Sequence, residues 1–202
     1  MHAVIIKYNA GNIRSVQIAL ARLGVQAKVT DDPAEIKDAA RVIFPGVGEA
    51  SSAMKYLRER KLDELIAELE QPVLGICLGL QLMCSFTEEG NTDCLNIFPA
   101  EVKRFPPLKK VPHMGWNRIY DLKGPLFRNI PEGAYVYFVH SFAAESCREQ
   151  IAATDYIHPF AAALQKDNYY ALQFHPEKSG GIGERILKNF LDAGRINRDK
   201  IL

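Results

Sequence analysis

The sequence predicts an α/β fold, with a mixed, mostly parallel central sheet, flanking helices, and antiparallel strands added in the C-terminal half. Two observations carry this. Short apolar runs alternate with segments of helical spacing through the first part of the chain, the pattern of parallel strands joined by crossover helices. After Cys94 the helical spacing stops, and strand-like runs follow one another between turn residues.

Taken in order, Ala3 to Lys7 is an apolar strand that ends in a turn at Tyr8 to Asn12. Ile13 to Leu23 sets Val16, Leu20 and Leu23 at helical spacing and stops at Gly24, a C-terminal cap signal. Val25 to Val29 is a second strand. Asp32 followed by Pro33 predicts an N-cap with proline at the first helical position. Val42-Ile43-Phe44 is a third strand, closed by Pro45-Gly46-Val47-Gly48. Helices are expected near 50–59 and 61–69, then a strand from Pro72 to Ile76. Strands follow at Ala100 to Phe105, Asn117 to Leu122, Ala134 to Phe142, Ile151 to Tyr156, Ala161 to Gln165 and Tyr169 to Phe174. A last helix, about Ile182 to Ala193, aligns Ile186, Leu187, Phe190 and Leu191. No repeat or linker interrupts the chain, so residues 1–202 are read as one domain.

Composition narrows the function classes. Hydrophobic residues make up 48% and charged residues 24% of 202 positions, enough to bury a sizeable core. A net charge of +1 with interspersed signs gives no footprint for nucleic acid. The start, Met1 to Asn12, turns polar too soon for a signal-peptide core or a membrane span. Cys77, Cys84, Cys94 and Cys147 form no Cys-x-x-Cys pair and have no zinc-ligand spacing. They are expected to be reduced thiols of a cytoplasmic protein that carries no metal or cofactor.

Chemistry concentrates at Gly75-Ile76-Cys77-Leu78-Gly79. A nucleophile at a strand–turn–helix junction needs small neighbours, as in the Gly-x-Ser-x-Gly elbow. A thiolate there would be stabilised by helix N-terminal N–H groups, and the Leu78 N–H would face an oxyanion formed on attack at a carbonyl. The competing reading is a buried cysteine beside packing glycines. Of five histidines, His175 alone has an acid in a useful place, in His175-Pro176-Glu177. Proline disfavours helix at His175, and in an extended chain Glu177 would point the same way as the imidazole. It could then hold one ring nitrogen while the other serves Cys77. His140 lacks an acid and suits a structural hydrogen-bonded role; His158 suits a surface turn.

Gly75 to Gln81 and His175-Pro176-Glu177 together resemble the triad-type, class I glutamine amidotransferases. Within that family the chain is similar to the glutaminase subunits that serve imidazole glycerol phosphate synthase. That likeness rests on Tyr8, Gly11 to Ser15, Pro45 to Gly48, Pro112 to Asn117, Phe138 to Phe142 and His175 to Ser179. The family pattern is departed from at Lys7, Asn9, Ala50 and Phe142.

The resemblance implies a flavodoxin-like sheet and a glutaminase that works without a cofactor. It implies a thioester on Cys77, His175 as acid and base, and Glu177 as its orienting partner. Oxyanion donors would be Leu78 N–H and Val47 N–H, the latter after a peptide flip in the Pro-Gly-Val-Gly loop. Gly46, Gly48, Gln81, Ser141 and Phe142 would hold glutamine. Ammonia would pass to a separate (β/α)8-barrel cyclase subunit that makes imidazole glycerol phosphate and aminoimidazole carboxamide ribotide in histidine biosynthesis. Trp116, Asn117, Tyr137 and Lys178 are the candidate contacts with it, against the alternative of a core tryptophan and a solvated lysine. A glutaminase for another synthase would share the triad but lack Met114 to Asn117. A silent regulatory subunit would lack Cys77, His175 or Glu177, all of which are present.

Overall fold

The computed structural model describes residues 2–8 and 11–193. The alternating half runs β1 (Ala3–Ile6), α1 (Ile13–Arg22), β2 (Ala27–Thr30), α2 (Pro33–Asp38), β3 (Arg41–Phe44), α3 (Ala50–Glu59), α4 (Leu62–Ala67), β4 (Val73–Ile76) and α5 (Leu78–Met83). Then come β5 (Phe86–Thr87), β6 (Thr92–Asp93), β7 (Glu101–Arg104), β8 (His113–Arg118), β9 (Tyr135–His140) and β10 (Phe142–Ala144). The chain continues through β11 (Gln150–Tyr156), β12 (His158–Lys166), β13 (Tyr169–Leu172) and α6 (Gly180–Asp192).

Seven strands form the main sheet in the order β11-β12-β13-β4-β3-β1-β2. The five from β13 to β2 are parallel, and β12 and β11 extend one side antiparallel. A four-stranded sheet, β10-β7-β5-β6, and the hairpin β8–β9 complete the strands among the described residues. Strand alternation divides the core. Ala3 and Ile5 of β1 pack with α1 and α6, while Val4 and Ile6 pack on the other face with α2, α3, α4 and α5.

Local chemistry sets the element ends. Asp32 caps α2 by accepting from Ala34 N–H at 2.8 Å and Glu35 N–H at 3.1 Å, with Pro33 following as predicted. Gly24, at φ 75°, follows α1; its N–H bonds Ala21 O and the Val25 N–H bonds Leu20 O. That pairing is a Schellman motif. It uses the Val25 N–H, so β2 begins at Ala27 rather than at Val25.

Two predicted strands are corrected. The strand expected at Asn117 to Leu122 lies instead at His113–Arg118, paired with β9 from His113↔His140 to Arg118↔Tyr135. Asp121, at φ 56°, turns the chain where the prediction had it extended. The run Ala134 to Phe142 is split at Ser141, because its two parts join different sheets: β9 pairs with β8, and β10 with β7. The short β5 and β6 were not foreseen; two-residue strands carry no periodicity. His158, expected in a turn, is the exposed first residue of β12. No helix among the described residues is long and apolar enough to cross a membrane.

The sheet delivers four loops to one edge. Phe44 of β3 lies beside Gly75 of β4, and Gly75 lies beside Ala171 of β13. The segments leaving the carboxyl ends of β1, β3, β4 and β13 therefore converge. In open α/β sheets this edge is where ligands bind.

Candidate active site

Cys77 sits between β4 and α5 at φ 53° and ψ −103°, a conformation a non-glycine residue rarely adopts. Holding it costs roughly 1–3 kcal/mol, supplied by the surrounding packing. A Cβ on Gly79 would run into the Phe44 carbonyl, and one on Gly75 would come within 2.8 Å of Met83 Sδ. The two readings of these glycines therefore merge: close packing of α5 against the sheet is what makes the bend. Cys84 follows α5 as its C-cap and is fully buried, donating to Leu80 O at 3.4 Å. Burial, then the neighbouring Cys94 and Cys147, raise its pKa well above the ordinary thiol value, which makes it unreactive.

His175 and Glu177 come from the segment after β13. The imidazole Nδ1 lies 2.7 Å from Glu177 Oε1, and both side chains are closed off from solvent. The route differs from the predicted one: His175 is extended, but Pro176–Lys178 is a 3-10 turn. The turn, not strand alternation, folds the carboxylate back onto the ring. Glu177 Oε1 also accepts from the Asn12 side-chain amide. On its other side His175 Nε2 is buried with no hydrogen bond, and Cys77 is the group acting on it. Burial pushes the imidazole pKa down, but the Cys77 sulfur and the Glu177 carboxylate outweigh it and raise the value to about 9.

The sulfur is held from two further directions. Cys77 Sγ donates to Val139 O at 3.8 Å and accepts from Gln173 Nε2 at 3.7 Å. Gln173 Oε1 accepts in turn from Gln81 Nε2 at 3.2 Å, and Gln81 Nε2 also donates to Phe142 O at 2.9 Å. Gln81 is thus both a brace for the Ser141–Phe142 segment and a wall of the site.

The Pro45–Gly48 loop lies over the elbow in one particular state. Leu78 N–H donates to Gly46 O at 3.3 Å, so a carbonyl occupies the place expected for an oxyanion. Val47 O accepts from Gly11 N–H at 2.9 Å, and the Tyr8 hydroxyl donates to Pro45 O. Burial first, and then Cys77, raise the Tyr8 pKa well above its usual value, so this phenol stays a donor. Gly46 has no room for a side chain, since a Cβ would meet the Tyr8 hydroxyl and come within 2.6 Å of Leu78 Cβ.

A cleft of about 240 Å³ opens in front of the sulfur, lined by Val47, Gly48, Cys77, Leu78, Gln81, Glu89, Pro112 and Val139 to Phe142. Glu89 was not foreseen. Its Oε2 accepts from Ala50 N–H at 3.0 Å, which fixes a carboxylate at the cleft wall, and burial raises its pKa. Such a wall suits a small polar substrate with an amine at one end and a carbonyl at the sulfur. His140, also lining the cleft, has both ring nitrogens engaged and is not a second base.

On the hairpin's outer face Trp116 is 55% and Met114 58% exposed. The Trp116 ring meets Tyr137 edge-on at 6.0 Å, and Lys178 Nζ sits 5.9 Å from the Tyr137 ring centre. Asn117 does not join them: it faces the other way and donates to Asp155 O at 2.8 Å. Lys7 pairs at 4.0 Å with Asp31 at the surface, Ala50 is fully buried at the start of α3, and Asn9 lies outside the described residues.

Of the functional residues, sequence reasoning missed the roles of Asn12, Gln173 and Glu89. Asn12 lies within the motif Gly11 to Ser15 and Gln173 two residues before His175; Glu89 stands in no motif.

The family profile described as Glutamine amidotransferase class-I matches residues 4–193. The chain is 61% identical over 195 residues to "Imidazole glycerol phosphate synthase subunit HisH" of Bacteroides fragilis, covering 95% of this chain and 100% of the relative. It is 47% identical over 195 residues, with the same coverage, to the protein of that name in Escherichia coli. A solved structure described as glutamine amidotransferase aligns with a TM-score of 0.73 at 19% identity, over 94% of this chain and 97% of that one.

Proposed function

The chain belongs to the class I glutamine amidotransferase family, and from that premise we propose that it is the glutaminase subunit of imidazole glycerol phosphate synthase. It hydrolyses glutamine to glutamate and ammonia. The ammonia goes to a separate (β/α)8-barrel cyclase subunit in the cytoplasm, for histidine biosynthesis. One observation carries the chemistry: His175 stands between the Glu177 carboxylate, at 2.7 Å, and the sulfur on a strained elbow.

In the proposed cycle the Cys77 thiol passes its proton to His175 Nε2, Sγ attacks the side-chain carbonyl carbon of glutamine, and the carbonyl electron pair moves to oxygen. Collapse expels the amide nitrogen, which takes the proton of His175 Nε2 and leaves as ammonia, so that a γ-glutamyl thioester remains. Water, deprotonated by the same nitrogen, then attacks the thioester and releases glutamate. Glu177 stabilises the imidazolium at Nδ1 in both halves.

The oxyanion needs donors that the resting loop withholds. Rotation of the Gly46–Val47 peptide would remove the Gly46 carbonyl from Leu78 N–H and bring Val47 N–H to the same point. Two aligned donors are the main electrostatic contribution in such sites. Gly48 and the backbone of Ser141 and Phe142 complete the glutamine site. Glu89 and the Gln81 carbonyl suit its α-ammonium. Trp116, Tyr137 and Lys178 form the cyclase-facing patch, and Asn117 supports it from behind. A resting loop with its donor occupied fits an enzyme that hydrolyses glutamine slowly until its partner binds.

The test is glutamate release by the chain with and without a cyclase subunit, beside Cys77→Ala. The expected result is strong stimulation by the cyclase and no glutaminase in Cys77→Ala, whose complex still uses free ammonia. Normal hydrolysis by Cys77→Ala would refute the assignment.

A further inference from the structure

A chain of hydrogen bonds runs from the hairpin β8–β9 to the sulfur, and only one placement of its protons satisfies it. Phe142 O can only accept, so His140 Nδ1, at 2.7 Å, must carry a hydrogen. In neutral imidazole the other nitrogen is then an acceptor, and it lies 3.2 Å from His113 Nδ1, which must donate. His113 Nε2 is left as an acceptor, 3.4 Å from Asn117 Nδ2. The Asn117 amide is oriented independently: its oxygen accepts from Arg118 N–H at 2.8 Å, and its nitrogen donates to Asp155 O. At the far end Phe142 O also receives Gln81, which reaches Cys77 Sγ through Gln173.

We propose that His113 and His140 are positioning residues, which fix the Phe142 carbonyl and the glutamine cleft through a one-way hydrogen-bond chain anchored on Asn117 of the hairpin. This rests on reading the cleft as the glutamine site. Three further observations support it. Both rings are buried, and they are cross-strand partners in the β8–β9 register. His113 is clamped between Tyr156, with centroids 4.0 Å apart, and Phe138, 4.9 Å away, so it cannot turn to another partner. Both imidazoles stay neutral. Burial is the leading cause in each; Lys109 adds to it for His113, at about 4, and His113 and His175 add to it for His140, at about 3.

The same hairpin carries Trp116 and Met114 on its outer face. The chain thus links that hairpin to Phe142, and a protonated ring anywhere in it would set two N–H groups against each other. A pair serving only to fill space does not need the direction.

The test has two readouts. Long-range ¹H–¹⁵N spectra of the full histidine-labelled chain at about pH 7 should show His113 and His140 both as neutral Nδ1–H tautomers, whereas free imidazole prefers Nε2–H. An Nε2–H tautomer or an imidazolium at either residue overturns the proposal. In the complex with the cyclase, His140→Phe removes both bonds and should raise the glutamine KM roughly tenfold with a smaller loss in kcat. His140→Asn keeps a donor for Phe142 O and should recover KM to within about threefold of wild type. Equal losses in His140→Asn and His140→Phe, or a fall in kcat with KM unchanged, would overturn the positioning role. Should His140→Phe fail to fold, the tautomers still decide. A wild-type complex that releases no glutamate would instead sink the glutamine reading and leave the tautomer result standing.

Discussion

Glu177→Gln isolates the charge that acts on His175. In the wild type one oxygen, Oε1, accepts both the His175 Nδ1–H at 2.7 Å and the Asn12 amide, inside a site closed to solvent. A glutamine oxygen can accept the same two bonds, so the geometry is kept and the negative charge is lost. A hydrogen bond to a charged partner contributes about 1.5–3 kcal/mol, and this one strengthens as the imidazolium forms. Each 1.36 kcal/mol is a factor of ten in rate, so kcat/KM for glutamine should fall roughly 10- to 150-fold. The new amide hydrogens replace Glu177 Oε2, an atom with no hydrogen-bond partner, and this adds to the loss. Glutamate release by the cyclase complex gives the rate, and an NMR titration should place the His175 pKa below its wild-type value of about 9. Activity within threefold of wild type, with the His175 pKa unmoved, would refute the role of Glu177.

Other perturbations probe separate parts of the site. Gly46→Ala sets a methyl against the Tyr8 hydroxyl and Leu78 Cβ; it should destabilise the fold by about 1–3 kcal/mol and, by blocking peptide rotation, lower kcat about a hundredfold or more. Trp116→Ala should weaken cyclase binding by about 2 kcal/mol, roughly thirtyfold in Kd by titration, while thermal unfolding of the free chain moves little. Folded His175 keeps its proton up to about 9, against roughly 6.5 when unfolded, so the native state binds the extra proton between these values. Its stabilisation is complete below about 6.5 and disappears as pH rises through 9, a slope in Tm that Glu177→Gln should flatten.

Much of this was legible in the sequence because it is local. Gly75 and Gly79 around Cys77 announced the elbow, and Asp32-Pro33 and Gly24 announced helix ends, since each acts over a few residues. Glu177 was found by spacing, although a 3-10 turn and not an extended strand places it. The rest depends on contacts between distant segments. Asn12 reaches Glu177 across 165 positions, and Gln173 reaches Cys77 across 96, through the side-by-side pairing of β13 with β4. The His113–His140 pair exists only in the β8–β9 register, and a strand predicted four residues late could not reveal it. Nor could Leu78 N–H be expected to bond Gly46 O, because that contact is a state of the loop.

Cys77, His175 and Glu177 are proposed to release ammonia from glutamine for a cyclase partner. Glutamine labelled with ¹⁵N at its side-chain amide, given to this chain with the cyclase subunit and the cyclase substrate, tests it most directly. One glutamate should form for each imidazole glycerol phosphate, with ¹⁵N in the imidazole ring, and Cys77→Ala should give neither product label nor glutamate. Glutamate release without label in the product, or labelled product from Cys77→Ala, would contradict it.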